Sequence, residues 1–526
     1  MDRILVTEKI SPEGFAALQQ DGASVEVKLD LDKAALLETL PEYDALVVRS
    51  ATKVTAEVIA AGTNLRVIGR AGSGVDNIDV DAATERGIIV VNAPASNNVA
   101  VAELTLGLML ALARQIPSAH ASLQAGKWER TKYMGWEVRY KTLGLVGLGR
   151  IGSEVARRAR GMEMNVIAFD PVVSFDRAAQ LGVEFVTLDE LLSRSDVVSI
   201  HVPLVDGTRN LFGADTLAKM KPGAYLINAS RGGIVDEVAL AAALDGGPLA
   251  GAALDVFGKE PPASDNPLLG HAKVITTPHL GASTNEAQAQ TGTDVAEGVL
   301  AALAGGTPRY AVNAPFVAPE EWNVLQPYME LATKLGMLTQ QLVEEPVRSY
   351  DFEYHGELAS VNTQAVRLAL LQGLLTGTTE QRVTPVNAPL IARDRGVRIS
   401  ERTDPDLEGY AGLVRVRAYT ATSERTFCGT VLRGDPFIIQ ADDYWVSFIP
   451  RGSLLITYHR DKPGVIGKVG MVLGDADVNI SGMYVGRLAP REQAMMVSTL
   501  DEPVSAAALD EIRKHSGVDK AFGVVL

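Results

Sequence analysis

The stretch Gly144-Leu-Val-Gly-Leu-Gly-Arg-Ile-Gly152 limits what this chain can fold into more than any other. The apolar run Leu143 to Val146 predicts a buried strand, and Gly147, Gly149 and Gly152 complete a G-x-G-x-x-G pattern before a helix over Ser153 to Arg160. A second apolar run, Val166 to Phe169, ends on Asp170. Each glycine has its own physical task. Gly147 permits the tight turn, Gly149 lets backbone approach a pyrophosphate, and Gly152 lets the helix lie close to its strand. The helix N-terminus offers unpaired N–H groups to phosphates. Asp170 stands about 20 residues on, where a carboxylate accepts the ribose hydroxyls of NAD and repels a 2'-phosphate. The expected cofactor is therefore NAD.

A chain of 526 residues has room for three or four domains with substantial cores. A formal net charge of -15 argues against a general nucleic-acid binder. The one cysteine, Cys428, allows neither an intrachain disulfide nor a cysteine metal cluster, and no metal is expected. Met1-Asp-Arg leads straight into a strand-like segment, so no signal peptide is read. The most membrane-like run, Leu104 to Ala113, is too short to span a bilayer. A soluble cytoplasmic protein is expected, with neither membrane nor nucleic acid as partner.

Short apolar runs alternate with helical stretches over residues 1 to 97, an α/β rhythm with a parallel sheet. Strands are predicted at Ile4–Val6, Ser24–Val27, Ala45–Val48, Leu65–Ile68 and Ile88–Val91. Asn97 to Gln115 reads as one long helix, and the βαβ alternation continues to about residue 287. Asn285 to Ala304 is a further helix, and Pro308 to Pro315 a linker returning the chain toward the first domain. A third unit carries helices at Leu325–Val343 and Thr363–Leu375. From Ser453 on, the pattern predicts a small α+β domain.

Polar residues gather where strands end, which is where ligands bind in open α/β sheets. Arg49-Ser50 and Gly69-Arg70-Ala-Gly-Ser-Gly74 suggest an anion clamp, because a guanidinium grips carboxylate or phosphate bidentately. Arg231, Glu260 and His279 lie beyond three further strands. Oxidising a secondary alcohol needs a base for the hydroxyl proton, a cation for the neighbouring carboxylate and an acid to orient the base. His279 suits proton exchange near neutrality, and Glu260 beside it favours the imidazolium. His201, at another strand end, is a candidate for lining the cofactor crevice. In the last domain, His459-Arg-Asp461 before Lys-Pro-Gly464 is read as a turn facing Asn479, where side chains could hold an amino acid's ends.

Six blocks carry a resemblance: Arg49-Ser-Ala-Thr52, Gly69-Arg-Ala-Gly-Ser-Gly-Val-Asp76, Val146-Gly-Leu-Gly-Arg-Ile-Gly152, Asn228-Ala-Ser-Arg-Gly-Gly-Ile-Val-Asp236, Leu254-Asp-Val-Phe257 with Glu260-Pro261, and Pro278-His-Leu-Gly-Ala-Ser-Thr284. The sequence resembles the D-isomer-specific 2-hydroxyacid dehydrogenase family in its long form. The resemblance implies a Rossmann-like NAD-binding domain (98–287) inserted in a flavodoxin-like substrate-binding domain (1–97, with a return segment 288–316). An α+β intervening domain (317–452) and a C-terminal ferredoxin-like ACT domain (453–526) follow. It implies that Arg231 binds the substrate carboxylate, His279 exchanges the proton and Glu260 supports it. By the same resemblance Arg150, Ile151, Asp170, Thr208, Ala229, Asp255 and Gly281 lie around NAD with the three glycines. Arg49, Ser50, Arg70, Ser73, Gly74 and Val75 face the substrate and its phosphate. The implied reaction is NAD-dependent oxidation of 3-phospho-D-glycerate to 3-phosphooxypyruvate, first committed step toward L-serine. Another D-2-hydroxy acid, such as 2-hydroxyglutarate or glycerate, is the alternative substrate. The resemblance further implies a homo-oligomer, a dimer of dimers, with Arg130 or Lys132 reaching a neighbour's pocket. L-serine is the expected effector, at an interface between paired ACT-like domains with His459, Asp461 and Asn479 as the contact residues.

Overall fold

Near-continuous apolar strands need cover on both faces, and the chain supplies it twice. The computed structural model describes every residue except Thr307, Phe316, Ala318 and Glu408, so the parts of the expected segments 288–316 and 317–452 that fall on these four lie outside the described residues. The first sheet takes β1 (Arg3–Val6), β2 (Ser24–Val27), β3 (Ala45–Val48), β4 (Val67–Arg70) and β5 (Ile89–Val91), all parallel, in the order 2-1-3-4-5. That is the flavodoxin-like order. Helix Asn285–Leu303 covers one of its faces beside helix Pro12–Leu18. The two helices cross at Gly14 and Gly292, where a Cβ on Gly14 would lie 2.6 Å from the Gly292 Cα. The chain then returns along β5, with the Val312 N–H donating to the Val90 carbonyl at 2.7 Å.

The second sheet holds β6 (Thr142–Val146), β7 (Asn165–Phe169), β8 (Glu184–Phe185), β9 (Val197–Ile200), β10 (Ala224–Asn228), β11 (Leu249–Leu254) and β12 (Val274–Thr276). Its spatial order, β12-β11-β10-β9-β6-β7-β8, is the Rossmann order extended by one strand, and every pair is parallel. Strand order reverses between β6 and β9, which puts the crevice beyond Val146 and Ile200. The predicted single helix Asn97–Gln115 is observed as Asn98–Arg114 followed by a second helix, Ile116–Gln124, at 62° to it. Gln115 takes a left-handed φ of 53°, and Pro117 sits in the first turn of the new helix, where its missing N–H does no harm. Among the described residues no single helix is long and apolar enough to cross a membrane.

The third sheet, β13 (Ser349–Gly356), β14 (Arg398–Asp404), β15 (Gly412–Tyr419), β16 (Glu424–Leu432), β17 (Asp435–Ala441) and β18 (Tyr444–Phe448), packs on helices Pro319–Leu342 and Gln364–Leu375. The fourth, β19 (Ser453–Arg460), β20 (Ile480–Arg487), β21 (Gln493–Leu500) and β22 (Val518–Val525), is antiparallel in the order β20-β21-β19-β22. With helices Val465–Asp475 and Ala506–His515 this makes a βαββαβ ferredoxin-like unit. One face of the fourth sheet covers those helices, while Leu454, Ile456, Met495, Val497 and Val524 on the other belong to the core of the third sheet. The third and fourth sheets thus share a hydrophobic core. Against the first sheet, the segment after helix Gln364–Leu375 docks by side chains: the Thr384 hydroxyl donates to the Gly87 carbonyl at 3.2 Å, and the Gln381 amide donates to that of Glu85.

Candidate active site

The glycine turn has the shape its sequence demands. Gly147 adopts φ 100°, and a Cβ there would lie 2.5 Å from the His201 carbonyl oxygen. A Cβ on Gly152 would stand 2.2 Å from the Gly147 oxygen, whereas one on Gly149 would meet nothing within 4 Å. Open space therefore lies where a pyrophosphate must approach, at the N-terminus of helix Arg150–Gly161, whose cap Gly149 has no side chain to occupy the free N–H groups. Asp170 follows β7, and its carboxylate accepts the N–H of Leu148 at 2.8 Å, of Val172 at 2.8 Å and of Val173 at 3.2 Å. The acid expected at the ribose is thus fixed to the turn expected at the phosphates. These residues fit NAD. Ile151 packs into the core behind the turn, and Arg150 reaches from the helix to the Pro94 carbonyl of the other lobe at 3.3 Å.

Other positions expected around the cofactor fall on the same crevice edge and hold backbone. Thr208 closes the turn after β9, its hydroxyl accepting from the Val205 N–H at 2.9 Å and donating to the Pro203 carbonyl at 2.6 Å. Ala229 is buried at the end of β10. Asp255, after β11, is fully buried, and its carboxylate accepts from the Thr277 hydroxyl at 2.6 Å and from the N–H of Leu280 and Gly281 at 2.7 and 2.9 Å. It shapes the loop that carries His279. His201 turns its Nε2 to the Ser199 hydroxyl at 2.9 Å, and its Nδ1 is buried without a partner. Burial lowers this imidazole to about 4, so it stays neutral beneath the glycine turn.

His279 itself takes a left-handed φ of 56°, with its N–H on the Asp255 carbonyl at 2.9 Å. A β-carbon in that region is strained, and it persists here because the Asp255 bonds over-determine the loop. Its Nδ1 lies 2.7 Å from Oε2 of Glu260, while Glu260 Oε1 accepts the Phe257 N–H at 3.1 Å. The carboxylate is anchored and holds one ring nitrogen, which leaves Nε2 for proton exchange. Arg231 follows β10 in a turn tied by Asn228, whose amide donates to the Arg231 carbonyl at 3.0 Å. Its Nη1 donates to the Ser230 carbonyl at 2.8 Å, and its Nε pairs with Asp76 of the other lobe at 3.3 Å.

Across the crevice, Arg49, Arg70 and the loop Ser73–Val75 close the opposite wall. Arg70 ends β4, its Nε buried without a partner. Burial and the neighbouring Arg231 hold its guanidinium below the usual range, with Arg49 adding to the repulsion. Arg231 and Arg49 thus lie near enough to repel Arg70, and an anion beside Arg70 would relieve that repulsion. Ser73 presents its hydroxyl to the Asn97 amide at 3.3 Å and its carbonyl to Asn92 at 2.6 Å. Gly74 runs so close to Arg231 that a Cβ would lie 2.3 Å from Nη2. Val75 is half-buried against the first sheet's core, and Ser50 is exposed at the tip of its loop. Asp76, Asn77 and Glu8 were not readable as site residues in the sequence, since an acid or amide near a strand end looks like any surface polar group.

The expected effector residues do not converge within one chain. His459 lies in β19 and not in a turn; it is buried, and burial lowers its pKa. Asp461 accepts from the Arg491 N–H at 3.2 Å and from Arg487 at 3.3 Å. Asn479 stands at the opposite end of the sheet, its amide donating to Asp501 at 2.6 Å.

Fold and site define an NAD-binding 2-hydroxyacid dehydrogenase. The profile of the D-isomer specific 2-hydroxyacid dehydrogenase NAD-binding domain matches residues 106–281, that of the D-3-phosphoglycerate dehydrogenase intervening domain residues 324–442, and that of the ACT domain residues 453–517. Among solved structures, a Thermus thermophilus protein aligns with a TM-score of 0.55 at 36% identity, over 59% of this chain and 99% of its own. D-lactate dehydrogenase from Aquifex aeolicus, complexed with NAD and lactic acid, aligns with a TM-score of 0.54 at 28% identity, over 60% and 100%. D-3-phosphoglycerate dehydrogenase of Archaeoglobus fulgidus is 44% identical over the full length of both chains, and that of Bacillus subtilis 41% identical over 97% of each. The chain belongs to the D-3-phosphoglycerate dehydrogenase family, and is an NAD-dependent oxidoreductase with a C-terminal ACT domain.

Proposed function

We propose that the protein oxidises 3-phospho-D-glycerate to 3-phosphooxypyruvate, the first committed step toward L-serine. The observation that carries this reading is the convergence of Arg49, Arg70 and Arg231 on the crevice that also holds the Glu260–His279 pair, 2.7 Å apart. A substrate with a carboxylate at one end and a phosphate at the other matches three cations better than a monoanion does. Arg231 holds the carboxylate beside C2, and Arg49 with Arg70 holds the phosphate. His279 Nε2 takes the C2 hydroxyl proton, and Glu260 stabilises the imidazolium that forms. Bound NAD supplies the acceptor for the C2 hydride. Steady-state assay of NAD reduction with 3-phospho-D-glycerate, D-glycerate and D-2-hydroxyglutarate tests the reading. A kcat/KM for 3-phospho-D-glycerate at or below that for either competitor overturns it.

The domain limits inferred from the sequence, 1–97 with 288–316, 98–287, 317–452 and 453–526, belong to the same reading. So does assembly into a dimer of dimers. Ile116, Leu123, Trp128 and Met134 are exposed along one segment of the NAD-binding lobe, with Trp128 82% exposed, and a second copy would cover them. Arg130 and Lys132 lie in that segment, and one or the other would then reach a neighbour's pocket. L-serine is the proposed effector of the ACT domain. Sedimentation at micromolar concentration tests the assembly, and a monomer would refute it.

A further inference from the structure

Glu8 follows β1 at the crevice end of the first sheet, and its carboxylate is taken up entirely by a neighbouring loop. Oε1 accepts the N–H of Arg49 at 2.8 Å and of Thr52 at 2.9 Å, and Oε2 that of Ala51 at 3.1 Å. The next residue, Lys9, gives its carbonyl to Arg49 Nη1 at 3.2 Å. From the other side the Asn77 amide donates to the carbonyls of Arg49 and Thr52, both at 2.7 Å. The Thr7 and Thr52 hydroxyls meet at 2.9 Å. The loop after β3 is thus gripped at both its N–H and its C=O groups by side chains of two other strand ends. Burial would raise the Glu8 carboxyl, yet the three N–H bonds outweigh it and hold the group below the usual carboxylate range.

An acid beside a cluster of arginines weakens that cluster's pull on an anion, so electrostatics alone disfavours Glu8 here. Its geometry gives it a different task. We propose that Glu8 is a positioning residue for the phosphate end of the substrate: it fixes the backbone of residues 49–52 so that Arg49 and Ser50 meet the phosphate without reorganisation. A preorganised donor loop gains affinity by removing the ordering that binding would otherwise require. The proposal rests on the assignment of Arg49 and Ser50 to the phosphate made above.

Glu8→Gln is the sharpest test, because it keeps shape and Oε1 while turning an NH2 toward the Ala51 N–H. Its KM for 3-phospho-D-glycerate rises about tenfold. Its kcat, its KM for NAD and its KM for D-glycerate stay near wild type, and its melting temperature falls by no more than a few degrees. Arg49→Ala is measured alongside. An unchanged KM in Glu8→Gln with a raised one in Arg49→Ala overturns the role of Glu8. An unchanged KM for 3-phospho-D-glycerate in Arg49→Ala removes the phosphate assignment itself. Equal losses on both substrates, or a parallel fall in kcat and melting temperature, would make Glu8 a residue of the fold only and also refute the proposal.

Discussion

Asp170→Ala separates two tasks that one carboxylate performs. Toward the cofactor it accepts the ribose hydroxyls; toward the protein it accepts the Leu148, Val172 and Val173 N–H groups. A hydrogen bond to a charged acceptor contributes about 1.5–3 kcal/mol, and Asp170 is partly exposed, so the lower end applies. Two hydroxyls then give about 3 kcal/mol, or about 100-fold in kcat/KM for NAD, since each 1.4 kcal/mol is about tenfold. For NADP the change has two opposing parts. Losing the charge removes a repulsion of about 4 kcal/mol per unit charge at about 4 Å before screening. Leaving the Leu148 N–H without its acceptor costs about 1–3 kcal/mol and harms both cofactors alike. The shared cost cancels in the preference for NAD, which should fall by at least about two orders of magnitude, while kcat/KM for NADP itself changes little because the screened relief and the shared cost oppose each other. Asp170→Asn retains an acceptor for the turn and should use NADP better than Asp170→Ala does. Steady-state kcat/KM for both cofactors at fixed ionic strength reads all of this. A preference that shifts by less than about threefold in both variants, or a wild type that uses the two cofactors equally, refutes the reasoning.

His279→Gln should lower kcat by about 10²–10⁴-fold while the NAD dissociation constant stays within about threefold, because the loss falls on proton transfer; fluorescence titration beside turnover checks it. Gly74→Ala places a Cβ 2.3 Å from Arg231 Nη2 and 2.7 Å from Asp76 Oδ2. The displaced atoms are ends of flexible side chains, so the KM for the 2-hydroxy acid should rise at least about tenfold while the melting temperature moves by less than about 2 °C. Thr384→Val leaves the Gly87 carbonyl without its buried donor at a cost of about 1–3 kcal/mol; hydrogen exchange at residues 86–88 should quicken while that of β6 and β9 stays unchanged.

The apolar runs Ala45–Val48 and Leu143–Val146 were legible as buried parallel strands because cover on both faces leaves no alternation to misread. The glycine turn was legible for a related reason: van der Waals limits at Gly147 and Gly152 leave the sequence no other choice. Elements whose limits depend on distant neighbours were harder. β4 runs from Val67 to Arg70 and not from Leu65 to Ile68, because pairing with β3 carries it to the crevice. β22 carries little local signal, since Val518–Val525 alternates weakly and owes its strand to the edge of β19. The helix Ile116–Gln124 was absent from the sequence-based expectation, which ended the helix at Gln115. In the site, motif residues within one loop could be named in advance. The Arg231–Asp76 pair across the lobes and the Glu8 grip on the loop at Arg49 could not, because neither partner carries a local signal.

The shared core of the last two sheets decides how the effector must be sought. A chain ending at residue 452 would strip the third sheet of Leu454, Ile456, Met495, Val497 and Val524, each nearly or wholly buried there. At about 1.5–3 kcal/mol for each buried side chain the loss is of the order of 10 kcal/mol, comparable with the whole net stability of a domain. The Arg425–Tyr458 hydrogen bond at 2.9 Å and the Gln341 pairing with the Val525 backbone at 3.0 and 3.1 Å would go with it. Truncation therefore unfolds what it is meant to isolate, and substitutions in the full chain are needed. Asp461 follows the last residue of β19, while Asn479 precedes β20 at the level of Ser453, the first. Eight residues of strand separate those levels, more than about 20 Å, too far for one small amino acid to touch both. If L-serine uses both residues, it does so between two copies, Asp461 from one and Asn479 from the other. If the site is shared in this way, Asp461→Ala and Asn479→Ala should each abolish serine binding in calorimetric titration of the full-length protein. Co-expressed with different tags and purified as a mixed oligomer, they should restore it, at up to one serine per two chains where each ACT pair holds one chain of each kind. In that pairing one site has lost both residues and the other has lost neither. Binding that survives in either single variant, or fails to return in the mixed oligomer, refutes the shared site.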